Sequence, residues 1–479
     1  MKRCLALLLA VALIAGMVGC AAQPVAVAPE IRQGSAILPG SDPSTGEQEP
    51  AGEFPPVGEE PPAPINQEQP KPQAPAEEQK PSDTGKEEQQ QTQPTPQEPE
   101  NTPPAPNNTA APAGEYRAVW ISYLELSGIL TGKSASQFRS GIGKMFDNAA
   151  AARLNTVIVH ARPFGDALYD SDYFPTSYLI TGTEGASLSF DPLKIMVEEA
   201  HSRGLSIEAW LNPYRVRASG SRTLAASNPA KQWLDAGSNA VYTTSNGGIF
   251  YNPGSQEAID LIVSGVREIV QNYDVDAIHF DDYFYATTDA SIDTALYASY
   301  QSGGGGKSLA AWRRSNVNEM VRQVYSAIKS VDPSVRFGIS PQGNTNINYN
   351  TLYADVATWL GNSGYVDYIC PQVYYGFHNA TCPFETVVKE FNSMIKASGI
   401  DLYVGLAAYK IGAEDTYAGA SGKTEWQNNS DMLCRMVSTA RTAGKYAGFS
   451  LYSYASLWNP ASAVSSRVTA EKSALQAIL

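Results

Sequence analysis

Eight times between residues 117 and 454, a short apolar, β-branched or aromatic run ends in polar or aromatic side chains. The runs are 117–125, 155–163, 206–215, 275–284, 335–343, 365–375, 401–410 and 446–454. Each has the length and composition of a buried strand. Helical patterns lie between them. In 191–204, Asp191 is placed to cap a helix, Pro192 to occupy its first turn and Gly204 to stop it. Strands alternating with helices imply a parallel sheet, and eight such units close into an α/β fold of the (β/α)8 TIM-barrel type. An open doubly wound sheet is the competitor, but no G-x-G-x-x-G follows the first run.

The barrel pattern occupies 114–479, and the chain before it is of two other kinds. Residues 1–20 carry a basic start (Lys2, Arg3), an apolar run (Leu5–Ile14) and small residues up to Cys20. That order predicts a secretory signal, and the run is too short for a comfortable membrane span. The stretch "GMVGC" resembles a bacterial lipobox, with Met17 where leucine is usual. It predicts acylation of Cys20 and an extracytoplasmic protein anchored to the cell membrane through lipid. Residues 21–113 hold 21 of the 32 prolines and one aromatic residue, with 15 Asp/Glu against 4 Lys/Arg. Such a segment buries too little apolar surface to offset the entropy of ordering, so it reads as a disordered Pro/Glu/Gln-rich tether. The acidity sits mainly in that tether, and the mildly acidic remainder argues against nucleic acid as a partner. Cys370, Cys382 and Cys434 show no zinc-ligand spacing. Cys370 and Cys382 form a local bridge, or Cys370 is a buried free thiol on a strand; the second reading is the simpler.

In barrels of this kind chemistry sits at the C-terminal ends of the strands. Collected in order, those ends offer Trp120, Tyr123 and Glu125; His160, Arg162 and Asp166; Asn212, Tyr214 and Arg215; Asp281, Asp282 and Tyr283; Gln342; Gln372, Tyr374 and Tyr375; Tyr409 and Lys410; and Tyr452, Tyr454 and Trp458. Aromatic faces stack on sugar C–H faces, and amides and guanidinium groups bind hydroxyls. A carbohydrate polymer is the expected partner. Neither a Ser-His-Asp set nor a Gly-rich phosphate loop is present.

The adjacent carboxylates Asp281 and Asp282 are the sharpest feature. On the fourth run Ala277, His279 and Asp281 share one face and Ile278, Phe280 and Asp282 the other. Asp282 therefore reaches the mouth only if the chain turns as it leaves the strand. Two carboxylates close together push one pKa up, which suits one acid and one anion. The stretch "HFDDYF" superficially resembles the "TFDDG" of metal-dependent polysaccharide deacetylases. Those enzymes also need an H-x-x-x-H pair, and no two of His160, His201, His279 and His378 are so spaced. No metal and no cofactor are expected; His160 and His279 are expected as neutral, hydrogen-bonded core residues.

The segments "EYRAVWISYLE", "NTVIVHARPFGDALYDSDYFP", "EAWLNPYRV", "DAIHFDDYFY", "FGISPQG", "ICPQVYYGF" and "GLAAYKIG" resemble the glycosyl hydrolase-like 10 family over nearly all of 115–460. The resemblance implies a bacterial lipoprotein and a glycosidase acting on peptidoglycan strands. Gln342 stands where that family usually has phenylalanine. A strand-4 Asp-Asp pair also resembles the family 84 hexosaminidases, in which the sugar's own acetamido oxygen attacks the anomeric carbon. That likeness implies Asp281 as the group orienting the acetamide, Asp282 as general acid/base and Tyr374 as a donor to the acetamido oxygen. Trp120, Arg162, Asp166, Asn212, Tyr214, Arg215, Tyr283, Gln342, Gln372, Tyr375, Lys410 and Tyr452 are the expected substrate contacts. An ordinary retaining scheme needs Asp166 or Glu125 as its second carboxylate. A non-catalytic glycan-binding lipoprotein and a metal-dependent deacetylase are the alternative functions.

Overall fold

The computed structural model describes residues 111–220 and 222–479. The expected signal peptide, Cys20 and nearly all of the tether lie outside the described residues.

Eight parallel strands close into a barrel: β1 (Tyr116–Ile121), β2 (Thr156–Arg162), β3 (Ser206–Leu211), β4 (Ala277–Phe280), β5 (Arg336–Ile339), β6 (Tyr368–Ile369), β7 (Asp401–Ala407) and β8 (Tyr446–Tyr452). Each pairs with its neighbours in chain order, and β8 returns to β1. Every expected run therefore contributes a strand. Helices such as Pro192–His201, Gln256–Asn272 and Leu309–Val331 cover the outside. Asp191 accepts from the Lys194 N–H at 3.0 Å and Pro192 opens the helix that follows, as its sequence predicts.

Alternation along the strands sorts the side chains. Val119, Ile121, Val157, Val159, Ile207, Ala209, Ile278 and Phe280 pack outward against the helices. Trp120, Ile158, Trp210, Ala277, Tyr368, Cys370 and Tyr403 fill the interior. Gly338 on β5 makes room for the Tyr368 ring, which would lie 2.0 Å from a Cβ there. A buried carboxylate, Glu208, sits in this lower layer and accepts from the hydroxyls of Tyr116 at 2.9 Å and Tyr368 at 2.6 Å. The cysteines Cys370, Cys382 and Cys434 are all buried, with no disulfide among them.

Two strands stop earlier than their runs suggest, for a common reason. β5 is followed by Ser340-Pro341-Gln342 and β6 by Cys370-Pro371-Gln372. Proline has no N–H to give to the ladder. The pairing resumes beyond it as isolated parallel bridges, Gln342 to Gln372 and Gln372 to Gly405. β3 also ends early, at Leu211, and Arg215–Arg217 instead joins Val241–Thr243 and Ile249–Tyr251 in a small antiparallel sheet. Strands of three residues leave almost no periodic signal, so this sheet is not readable from the sequence.

Candidate active site

The strand C-termini bring Asp281 and Asp282 together in the barrel interior, where the residues are 3% and 2% exposed. Asp281 leaves β4 on the inward face with His279, and the chain turns at once, the Phe284 N–H bonding to the Asp282 carbonyl at 2.9 Å. Asp282 is gripped from one side: Gln342 Nε2 donates to Oδ2 at 2.7 Å and Gln372 Nε2 to Oδ1 at 2.8 Å. The paired Pro-Gln steps after β5 and β6 set both amides at the same height. Asp281 is held from the other side. Its Oδ2 accepts from Trp210 Nε1 at 3.2 Å and from Asn212 Nδ2, and its Oδ1 from the Tyr283 N–H at 3.3 Å.

Burial raises both carboxyls above the ordinary range, because a charge loses its water there. Asp281 is pushed up to about 7, first by burial and next by the charge of Asp282, with Arg215 opposing. Asp282 is also raised by burial, but the two glutamine amides pull it back. Of the two, Asp281 is the carboxyl brought near neutrality.

Arg215 is the nearby cation. Its Nη2 donates to Asn212 Oδ1 at 2.5 Å and its Nε to the Pro163 carbonyl at 3.0 Å. Its guanidinium lies 4.9 Å from the Phe164 ring centre and 5.1 Å from that of Tyr283. Across the pocket Tyr374, Tyr409, Tyr452 and Trp120 form a wall: Tyr374 and Tyr452 are 5.8 Å apart between ring centres, and Tyr452 and Trp120 6.0 Å. The Tyr374 phenol is held well above its usual pKa, by burial first and then by charges that include Asp282. It is a donor through the whole working range.

The structure thus brings together Asp281, Asp282, Asn212, Arg215, Tyr283, Gln342, Gln372, Tyr374, Tyr452 and Trp120. Five expected contacts are engaged elsewhere. A register shift between β2 and β3 at His160/Arg162 breaks the alternation, and Arg162 packs over Phe174 at 4.5 Å in the outer core. Asp166 accepts from the Tyr178 N–H at 3.2 Å and stands 3.6 Å from Arg222; burial pushes it up to about 6. Tyr214 lies fully buried in the outer core, and Lys410 is paired with Asp415 at 2.7 Å. Tyr375 lies over Gly343, its ring 2.7 Å from where a Cβ would stand. Glu125 is also committed. It closes a capping box with Ser122 and accepts from Ser453 Oγ at 2.5 Å and the Ala455 N–H at 2.9 Å.

Two members of the site are absent from the expected contacts: Trp210 and His160. Glu208, Trp210 and Asn212 alternate along β3, so the period-2 rule applied to Asn212 locates Trp210. His160 has both ring nitrogens engaged, Nδ1 by the Tyr123 N–H at 3.0 Å and Nε2 with Asn212 Oδ1 at 3.1 Å. His279 likewise bonds Tyr368 at 2.9 Å and Ser340 at 3.0 Å.

Comparison with known proteins fits this geometry. The family model "Glycosyl hydrolase-like 10" matches residues 115–419. The chain belongs to the glycosyl hydrolase-like 10 family. Among its relatives in that family are glycosyl hydrolase YngK of Bacillus subtilis (strain 168), 36% identical over 321 residues, and glycosyl hydrolase DigH of Escherichia coli (strain K12), 33% identical over 356 residues. The first match covers 62% of this chain and 61% of the relative; the second covers 66% and 80%. The fold is also that of the PgaB (BpsB) glycoside hydrolase domain from Bordetella bronchiseptica, with TM-score 0.50 and 13% identity over 75% of this chain and 99% of that one.

Proposed function

We propose that this protein is a glycoside hydrolase that cleaves N-acetylated glycan strands of the bacterial cell wall by substrate-assisted catalysis. The observation that carries the reading is the buried Asp281–Asp282 pair, whose two carboxyls are held by different sets of donors and flanked by aromatic rings. One carboxyl serves as acid and the other as anion. The other candidate carboxylates, Glu125 and Asp166, are bound into loop architecture, which leaves the sugar's own acetamide as the better nucleophile.

In this scheme the acetamido oxygen attacks the anomeric carbon while the C–O bond to the leaving sugar breaks. The acid gives its proton to the departing oxygen, and the anion accepts the acetamido N–H as positive charge develops. Water then opens the cyclic intermediate with retention, its proton returning to the acid. Tyr374 is placed to donate to the acetamido oxygen.

Burial, then the charge of Asp282, push Asp281 up to about 7 despite its three donors, whereas Gln342 and Gln372 pull Asp282 back toward the anion, so Asp281 is the better proton carrier. This assignment reverses the one implied by the family 84 likeness.

The leader and tether support an extracytoplasmic protein held at the membrane by lipid on Cys20. All four large exposed hydrophobic side chains among the described residues, Leu124, Tyr173, Tyr349 and Tyr417, follow strand C-termini, which supports a polymer lying across the mouth. Incubation with glycan strands stripped of peptides tests the function: reducing ends should appear with wild type and vanish with D281N or D282N. Acetate release without chain cleavage would favour deacetylation, and glycan retention without products a binding protein. Replacing Cys20 with serine should free the protein from the membrane fraction.

A further inference from the structure

We propose that His160 is a positioning residue, which locks the Asn212 amide in the one orientation that presents an N–H to Asp281. The inference rests on the reading of Asp281 as the proton carrier.

A backbone amide can only donate, so the Tyr123 N–H at 3.0 Å requires a bare His160 Nδ1. The imidazole proton then sits on Nε2 and is donated to Asn212 Oδ1 at 3.1 Å. That oxygen also receives Arg215 Nη2 at 2.5 Å. With two donors on its carbonyl, Asn212 must turn its NH2 toward Asp281 Oδ2, where the bond is found. Trp210 completes the clamp: its ring stacks on His160, centroids 3.4 Å apart, and its N–H reaches the same Asp281 oxygen.

The device needs a neutral imidazole, since a proton on Nδ1 would face the Tyr123 N–H donor to donor. Burial first, then the charge of Arg215, hold His160 well below its usual pKa. The charged and titratable groups around Asp281 are Asp282, Arg215, Tyr283 and Tyr452. None of them replaces the lost donor if Asn212 flips.

The test is a carbon-13 NMR titration of the Asp281 carboxyl, assigned by its loss in D281N, with kcat measured against pH on peptide-free glycan strands. In H160L the Asn212 carbonyl keeps only the Arg215 donor, so the amide presents its N–H to Asp281 less firmly. The carboxyl midpoint should rise by about one pH unit, since a hydrogen bond to the charged form is weakened. The kcat at low pH should fall severalfold with KM nearly unchanged, because a weaker acid protonates the leaving oxygen less readily, and the alkaline limb of its pH profile should move up with the midpoint. H160Q keeps a donor near the Nε2 position and should restore both. If H160L does not fold, H160N withdraws the same donor and should show the same shift. A folded H160L or H160N with an unmoved midpoint overturns the proposal. A shifted midpoint in a protein that never releases sugar upholds the positioning role and overturns the glycosidase reading instead.

Discussion

Gln342 and Gln372 stand side by side, paired across adjacent chain segments, and donate to opposite oxygens of Asp282 at 2.7 and 2.8 Å. Each follows a proline that ends its strand, so the same local break is used twice to aim an amide into the pocket. Sequence reasoning placed both glutamines on the sugar; the structure places them on the carboxylate.

Removing either amide should therefore act through Asp282. Each bond to a charged group contributes about 1.5–3 kcal/mol, so Q372L should lower kcat/KM by tenfold or more. The anionic form becomes harder to reach, and the acid limb of the pH–rate profile should move to higher pH. Q342F should be milder, because Gln372 also bonds the Ser340 carbonyl and stays in place. Equal, pH-independent losses in both variants would contradict this division of labour.

Activity should fall as pH rises through about 7, where Asp281 loses its proton. The stability effect has the same origin. A carboxyl whose folded pKa lies above its unfolded value favours the folded state most at low pH. That contribution is lost between the unfolded value near 4 and the folded value near 7. D281N should thus melt at a higher temperature than wild type at pH 8 and show a smaller difference at pH 4. Thermal melts at the two pH values check this.

A separate test concerns the fold. Glu471 is buried, and its two oxygens accept the Met432 and Leu433 N–H groups at 2.8 and 3.0 Å, at the start of helix Met432–Ala440. E471A leaves both donors unpaired in the interior and should cost about 2–4 kcal/mol, measured by denaturant unfolding. Glycan binding per molecule of folded protein should be unchanged, because the helix is far along the chain from the aspartates.

Much of this was legible in the sequence because the barrel repeats one pattern eight times and because strand ends in such barrels face the mouth. Asp281, Asp282, Asn212, Arg215 and the two glutamines were found by that rule alone. The misses share a cause: the period-2 rule holds only while the register does. The shift at His160/Arg162 carries Arg162 into the outer core. Partner choice was also invisible. Nothing in the composition of the β7 loop says that Lys410 closes on Asp415.

The central claim is that the substrate's acetamide does the work of a nucleophile. The most direct measurement compares cleavage of peptide-free glycan strands with the same strands after chemical removal of their N-acetyl groups, under identical conditions. Substrate assistance predicts chain cleavage of the acetylated strands and none of the deacetylated ones. Comparable cleavage of both, with a covalent glycosyl-enzyme detected by mass spectrometry, would contradict it.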